Sequence, residues 1–217
     1  MNTFSVGEAI RFGWETFKKR PWFFIGITVI TAAISGAVSS ALGSVEEGPV
    51  VGIANTLVNM AVSTFIGLGI TSIYLKAHVS VESVSFSDLW HPDLFWNYFA
   101  ASIVVSIIVG VGFILLIVPG VILALMFLFT TYLIVDKKLG PIEALKESNR
   151  ITKGKKWQLL VLMLAIIGVN ILGFIGLLVG LLISIPVSTL AIVYVYRKLE
   201  HSASEVVPNS ATAPAAM

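Results

Sequence analysis

Cysteine is absent from the 217 residues of this chain. Disulfides, thiolate zinc sites, iron–sulfur clusters and a cysteine nucleophile are therefore excluded. Charge is also scarce, because Asp, Glu, Lys and Arg make up 12% of the residues whereas soluble domains carry about 25%. The formal net charge of +2 is too small to indicate a nucleic-acid partner.

Long apolar runs are what the chain has in abundance. Hydrophobic residues make up 57% of it, and the mean hydropathy is +0.95. A water-soluble fold could not cover its surface with so few charges. The composition therefore predicts an all-α, polytopic integral membrane protein whose helices face lipid.

Four uncharged apolar blocks hold the predicted spans, and each span needs about 20 residues. Two blocks are too long for one helix. Pro119-Gly120 interrupts one and Gly173 with Gly176 the other, so each is interpreted as a helical hairpin, fully spanning or re-entrant. Six spans result, at residues 21–43, 50–75, 98–118, 119–135, 157–175 and 177–196.

The basic residues predict the orientation. All 14 Lys and Arg fall in four segments, 1–20, 76–97, 136–156 and 197–217. Cytoplasmic loops are enriched in Lys and Arg, so both termini are predicted to be cytoplasmic in the plasma membrane. Glu46 and Glu47 lie in the first outer loop instead. Residues 1–200 would form one six-helix membrane domain, and 201–217, rich in Ser, Ala and Pro, a disordered cytoplasmic tail.

A cytoplasmic amphipathic helix is predicted before the first span. Over residues 5–19, Ile10, Trp14 and Phe17 share one face and Glu8 and Lys18 the opposite one, which is typical of a helix in the headgroup layer. The segment from Glu143 resembles it at the same distance from a tryptophan, although Asn149 and Thr152 occupy its apolar face. A third copy would begin at Ser85. We interpret the chain as three units of interfacial helix and helical hairpin.

One polar stripe is a candidate solute path. Asn55, Asn59 and Ser63 recur at helical spacing on the second predicted span. The alternative is helix packing, in which small residues allow close approach and asparagine bonds across helices. Similar stripes on other spans, including Ser184 and Ser188, favour packing.

Ionisable residues are missing from every predicted span. Because such residues mark proton relays and coupled transport, their absence counts against an ion-driven transporter and an intramembrane acid–base protease. Asp88, His91 and Asp93 cluster before the third span, but their spacing is not diagnostic of a metal site and a solvated loop is the simpler interpretation. No cofactor, metal or catalytic residue is predicted.

Basic residues are dense between 137 and 156. Juxtamembrane basic clusters attract anionic headgroups, so Lys153, Lys155 and Lys156 are candidate lipid contacts. The alternative is that these charges serve only to set the orientation of the chain.

The second half of the chain carries a pattern of short motifs. It consists of Pro119, Gly120, Asp136, Glu143, Ser148, Gly154 and a final hairpin with Pro186. In this pattern the chain resembles uncharacterised prokaryotic multi-helix membrane families similar to the membrane domain of glycerophosphoryl diester phosphodiesterases. The resemblance implies a six-helix module without known activity. Catalysis in those enzymes resides in a separate soluble domain, so that activity is not carried over.

Structural roles account for the same residues without a ligand. Pro119-Gly120 would turn the hairpin, and Asp136 would end the fourth span. Ser148 and Gly154 would shape the junction with the fifth span.

Three functional hypotheses are consistent with these features. The first is a non-enzymatic membrane module that binds lipids or a membrane partner, including a second copy of itself. The second is an uncoupled transporter or channel for a small solute or lipid, supported by the asparagine stripe. The third, a membrane enzyme, depends on the Asp88 cluster alone.

Overall fold

A computed structural model describes residues 4–43, 48–176 and 179–205. Within those ranges the chain forms helices and no strand. They are α1 (Val6–Lys19), α2 (Pro21–Gly43), α3 (Pro49–Val79), α4 (Phe95–Leu115), α5 (Ile117–Met126), α6 (Thr130–Lys137), α7 (Pro141–Thr152), α8 (Lys156–Ile175) and α9 (Val179–Glu205), with 3₁₀ helices at Phe86–Leu89 and Pro92–Leu94.

Six helical stretches in this described part are long and apolar enough to cross a membrane. The chain is therefore an all-α polytopic membrane protein, as its composition predicts. The stretches are Pro21–Leu42, Val51–Val79, Phe86–Leu115, Ile117–Lys137, Lys156–Ile175 and Val179–Ser204. The predicted outer loop with Glu46 and Glu47 lies outside the described residues.

The first hairpin turns earlier than the sequence predicts. The break between α4 and α5 is at Leu116, and Pro119-Gly120 lies in the first turn of α5. Proline is tolerated there because the N–H groups of a first turn have no partner within the helix. Gly120 packs against Gly112 of α4 instead. A Cβ added to Gly112 would lie 3.0 Å from the Cα of Gly120. The Pro-Gly pair thus allows close helix packing and does not make the turn.

The fourth span is interrupted. α5 ends at Met126, residues 127–129 form a bend and turn, and α6 begins at Thr130. Periodicity alone does not show this break, because the sequence stays apolar through Phe127, Leu128 and Phe129.

α1 packs along α9. Its buried residues are Ala9, Gly13, Thr16 and Phe17, whereas Trp14 remains 43% exposed. A Cβ on Gly13 would lie against the carbonyl oxygen of Val187 and 3.3 Å from the backbone nitrogen of Ala191. Part of the predicted apolar face therefore contacts protein, and its position in the headgroup layer stays a prediction.

The proposed repeat differs in its middle unit. Ser85 and Asp88 form a capping box, but they begin only a four-residue 3₁₀ helix. A second short 3₁₀ helix starts at Pro92, which cannot continue a helix from its N-terminal side. In the middle unit, two short 3₁₀ helices therefore replace the interfacial helix that the sequence predicts from Ser85.

α9 lies at the centre of the fold. Leu190, Ala191, Val193, Val195 and Tyr196 are fully buried. The helix continues to Glu205, so residues 201–205 are helical although the sequence predicts a disordered tail from 201. The Arg150 guanidinium donates to the Ala203 carbonyl at 3.1 Å, which holds this last turn against α7. Residues 206–217 lie outside the described part.

Candidate functional site

Ser148 and Thr152 of α7 satisfy the backbone at the break between α5 and α6. The Ser148 hydroxyl donates to the Met126 carbonyl at 2.9 Å and accepts from the Phe129 N–H at 3.3 Å. The Thr152 hydroxyl lies 3.3 Å from the same carbonyl and 2.8 Å from the Ser148 carbonyl. Both side chains are fully buried. Non-helical backbone in a span is tolerated where protein satisfies its polar groups, so these hydroxyls permit the break.

Glu143 and Gly154 define the two ends of α7. The Glu143 carboxylate accepts from the Gly140 N–H at 3.3 Å at the first turn. At the other end Gly154 has a φ of +76°, a left-handed conformation that glycine adopts without strain. This turn brings the chain from α7 into α8 and places the predicted headgroup lysines on it.

The structure divides those three lysines between two cavities. Lys153 and Lys155 line a cavity of about 420 Å³ with Arg150 of α7 and the end of α9, including Leu199 and Ser202. Lys156 faces a second cavity on another side of the junction. The lysines therefore share one turn of chain but do not share one pocket.

The second cavity is a groove between α5 and α8, which we call the α5–α8 groove. Its volume is about 420 Å³ and its walls are apolar apart from Lys156. It is lined by Ile117, Val118, Val121, Ile122 and Leu125 of α5 and by Lys156, Trp157 and Leu160 of α8. Val118 is 68% and Trp157 74% exposed, so the groove opens to the surroundings of the protein.

Lys156 has an unusual environment. The residue is half-buried, and its ammonium lies 3.7 Å from the Met126 sulfur, a weak acceptor. Among the described residues no carboxylate forms an ion pair with it. Its positive charge is therefore not neutralised within that part of the protein.

Comparison with known proteins places the chain in a family. Residues 38–203 match the profile of DUF975, described as a protein of unknown function. The chain belongs to the DUF975 family. That family description gives no link to the membrane domain of glycerophosphoryl diester phosphodiesterases, so this finer resemblance stays a prediction.

Mycobacterial relatives are similar along nearly the whole DUF975 chain. An uncharacterized protein of Mycobacterium tuberculosis strain H37Rv is 24% identical over 238 residues, covering 97% of this chain and 73% of the relative. An uncharacterized protein of Mycobacterium bovis strain AF2122/97 matches with the same identity and coverage. No solved structure matches.

Two other basic residues near the junction of this DUF975 protein, Lys137 and Arg150, have acidic partners. Lys137 lies 2.8 Å from Glu200 and 3.8 Å from Glu147. Arg150 makes two hydrogen bonds of 2.7 Å to Glu147, which lower the pKa of that carboxyl. These pairs connect α6, α7 and α9 and leave little of their charge for a ligand.

Asp136 joins α6 to α9. Its carboxylate accepts from the Tyr196 hydroxyl and from the Arg197 guanidinium, each at 2.8 Å. Its side chain is 16% exposed and that of Arg197 is 27% exposed. The motif residue Asp136 thus has a partner on the last helix that the sequence pattern did not identify.

The asparagine stripe lies apart from the junction. The Asn55 amide donates to the Leu42 carbonyl of α2 at 3.1 Å, and the Asn59 amide donates to the Asn55 carbonyl at 3.1 Å. Ser63 is exposed. The amide of Asn55 thus joins two helices, which is the bonding that packing requires.

Asn170 of α8 was not identified from the sequence. Its amide donates to the Ser188 hydroxyl at 3.1 Å, and the Ser184 hydroxyl donates to its carbonyl oxygen at 2.9 Å. The signal that could have found it is an amide in the middle of an apolar span.

The Asp88 cluster does not converge. Asp88 accepts from Lys76 at 2.8 and 2.9 Å and from the Ser85 N–H at 2.8 Å. The His91 ring lies 3.4 Å from the Ser72 hydroxyl. Across the described ranges no three His, Asp or Glu side chains are close enough to share a metal ion.

Proposed function

We propose that this DUF975 protein is a non-enzymatic module of the plasma membrane that binds anionic lipids through the α7–α8 junction. Both termini would be cytoplasmic, so that Lys153, Lys155 and Lys156 meet the headgroups of the inner leaflet. The observation that carries the proposal is Lys156, a half-buried cation beside a thioether and an exposed tryptophan.

The charge balance supports an anionic ligand. A partly buried cation without an anion is unfavourable, and a phosphate at this position would relieve that cost. α8 also begins at Lys156, and helix N-termini favour negative charge. Trp157 is suited to the headgroup region, where tryptophan is enriched in membrane proteins.

Other activities have less support. Asn55 uses its amide to join α2 and α3, so the stripe argues for packing more than for transport. Asp88 uses its carboxylate on Lys76, which weakens the hypothesis of a membrane enzyme. The resemblance to phosphodiesterase membrane domains would fit a lipid-facing role, without their catalysis. A membrane partner or a second copy could bind the same protein elsewhere.

Native mass spectrometry with defined lipids tests the proposal. Protein in mild detergent is titrated with phosphatidylglycerol and, separately, phosphatidylcholine, and the bound fractions are compared. Lys153→Gln with Lys156→Gln should weaken phosphatidylglycerol binding about 25-fold, since each basic residue near an anionic surface contributes about 1 kcal/mol, or about fivefold. Phosphatidylcholine binding should change little.

Lys138→Gln with Lys146→Gln is the matched control. Both lysines are exposed, and neither forms an ion pair in the described part of the chain. This control should retain binding. Equal losses in the two double variants would indicate a diffuse positive potential without a site, and would contradict the proposal.

A further inference from the structure

We infer that the α5–α8 groove holds one acyl chain of an anionic phospholipid whose phosphate contacts Lys156. The inference rests on the proposed function for its headgroup contact and adds the location of the lipid body. The occupant is a single phospholipid with a negatively charged headgroup.

The shape of the groove fits an extended chain. Ile117, Val121 and Leu125 recur every four residues, so they line one side of α5 from end to end. The eight residue steps from Ile117 to Leu125, at 1.5 Å each, give this side a length of about 12 Å. The volume of about 420 Å³ lies within the range of roughly 300–1,000 Å³ that ligand cavities show.

The chemistry of the groove is asymmetric. Every lining side chain on α5 is aliphatic, and on α8 only Lys156 carries a charge. Lys156 lies beside Met126, so the charged end is the end at which α5 stops. A ligand with one anionic end and one long apolar body matches this arrangement, whereas a wholly apolar or wholly polar solute would match only part of it.

The break between α5 and α6 lies beside the charged end, because Lys156 contacts Met126. α5 ends at Met126 because the next residues turn, and Ser148 and Thr152 hold that turn. A lipid in the groove would contact Leu125 near this charged end while its chain extends towards Ile117. This distinguishes the groove from the open helix faces elsewhere, which lipids would cover without a defined headgroup position.

Neutralisation of Lys156 is the energetic reason for an anionic lipid, and the apolar groove accommodates its acyl chain. Val118 and Ile122 are 68% and 41% exposed, so the acyl chain would cover these side chains. In a bilayer any lipid tail can do this equally well, so the preference for an anionic lipid must come from Lys156. Selective binding of an anionic lipid therefore needs both the apolar groove and Lys156.

The test adds a groove-filling variant to the lipid titration. Val118→Trp should place an indole in the groove, and Val111→Trp is the matched control because Val111 is 50% exposed on α4 and does not line the groove. Val118→Trp should reduce phosphatidylglycerol binding about tenfold, as expected when about two buried methylenes lose their contacts. Val111→Trp should leave binding unchanged.

The outcomes separate this inference from the proposed function. If the lysine pair weakens binding but Val118→Trp does not, the headgroup site stands and the groove inference is wrong. If neither affects binding, the proposed function itself fails. If Val118→Trp weakens phosphatidylcholine and phosphatidylglycerol equally, the groove holds tails without a link to Lys156, and the inference is overturned.

A photoreactive phosphatidylglycerol with a diazirine on one acyl chain gives a second readout on the unmodified protein. Crosslinks mapped by peptide mass spectrometry should concentrate on residues 117–125 and 157–160. Lys156→Gln should reduce them about fivefold. Crosslinks spread evenly over all exposed helix faces would overturn the inference.

Discussion

The hydroxyl of Ser148 donates a hydrogen bond of 2.9 Å to the carbonyl of Met126, although the two residues lie on different helices. This contact lets an apolar span contain a backbone break and brings the α7–α8 junction beside it. The location of the candidate site thus depends on a serine that touches no ligand in the proposal.

Ser148→Ala should destabilise the protein by about 2 kcal/mol, because it removes both hydrogen bonds of the hydroxyl. The Met126 carbonyl would keep only the longer contact with Thr152, and the Phe129 N–H would lose its bond to the side chain. The melting temperature in detergent measures the effect. Ser63→Ala, at an exposed position, is the control and should change stability by less than about 0.5 kcal/mol. An unchanged melting temperature for Ser148→Ala would contradict the assigned role.

Asp136→Asn should cost about 2 kcal/mol of folding free energy. It leaves the partly buried Arg197 without its carboxylate partner. The loss of stability should lie between the loss for an exposed ion pair and the loss for a fully buried one. Tyr196→Phe removes only one hydrogen bond and should cost about 1 kcal/mol.

Glu15→Gln is the control for Asp136. Its pair with Lys18 is exposed on both sides, so the expected loss is below about 0.5 kcal/mol. Chemical denaturation in a defined detergent would rank the three variants. Equal effects of Asp136→Asn and Glu15→Gln would show that the α6–α9 contact contributes little to stability.

Stability should depend on pH through Glu147. Its pKa lies below the ordinary value of 4.5 because of its hydrogen bonds with Arg150. Because this pKa is lowered, the ionised Glu147 carboxylate stabilises the fold at pH values above the ordinary pKa. This stabilisation is lost as the pH falls through the pKa of the folded state. Glu147→Gln should therefore lower the melting temperature at about pH 7.

The difference in melting temperature between the wild type and Glu147→Gln should become smaller as the pH falls below 4.5. Melting curves across this range measure it, with Glu82→Gln as an exposed control without an ion pair in the described residues. A gap that stays constant down to the lowest pH would exclude Glu147 ionisation as the cause.

Gly13→Val should detach α1 from α9, because any Cβ at this position meets the backbone at Val187. The expected result is faster proteolysis of the N-terminal segment and a lower melting temperature. Gly7→Val is the matched control on the same helix, where the nearest atom to a Cβ is the Ser5 hydroxyl at 3.8 Å. Similar protease sensitivity of both variants would contradict close docking of α1 on α9.

The sequence by itself determined the class of the protein, an all-α chain with long apolar helices. Apolar runs of about 20 residues leave few alternatives, because backbone polar groups in lipid must be satisfied within the helix. The amphipathic pattern of residues 5–19 likewise predicted a helix, which the structure has at Val6–Lys19. These are local properties of the chain.

Only the tertiary structure decided where the chain turns and what its polar residues contact. The turn lies at Leu116 because the first turn of a helix tolerates Pro119 and because Gly120 is needed for close packing. The break after Met126 depends on Ser148, Asp136 depends on Arg197, and Lys156 meets a groove made by α5. The contacts of Ser148, Asp136 and Lys156 join residues 22 or more positions apart, so no local pattern could predict them.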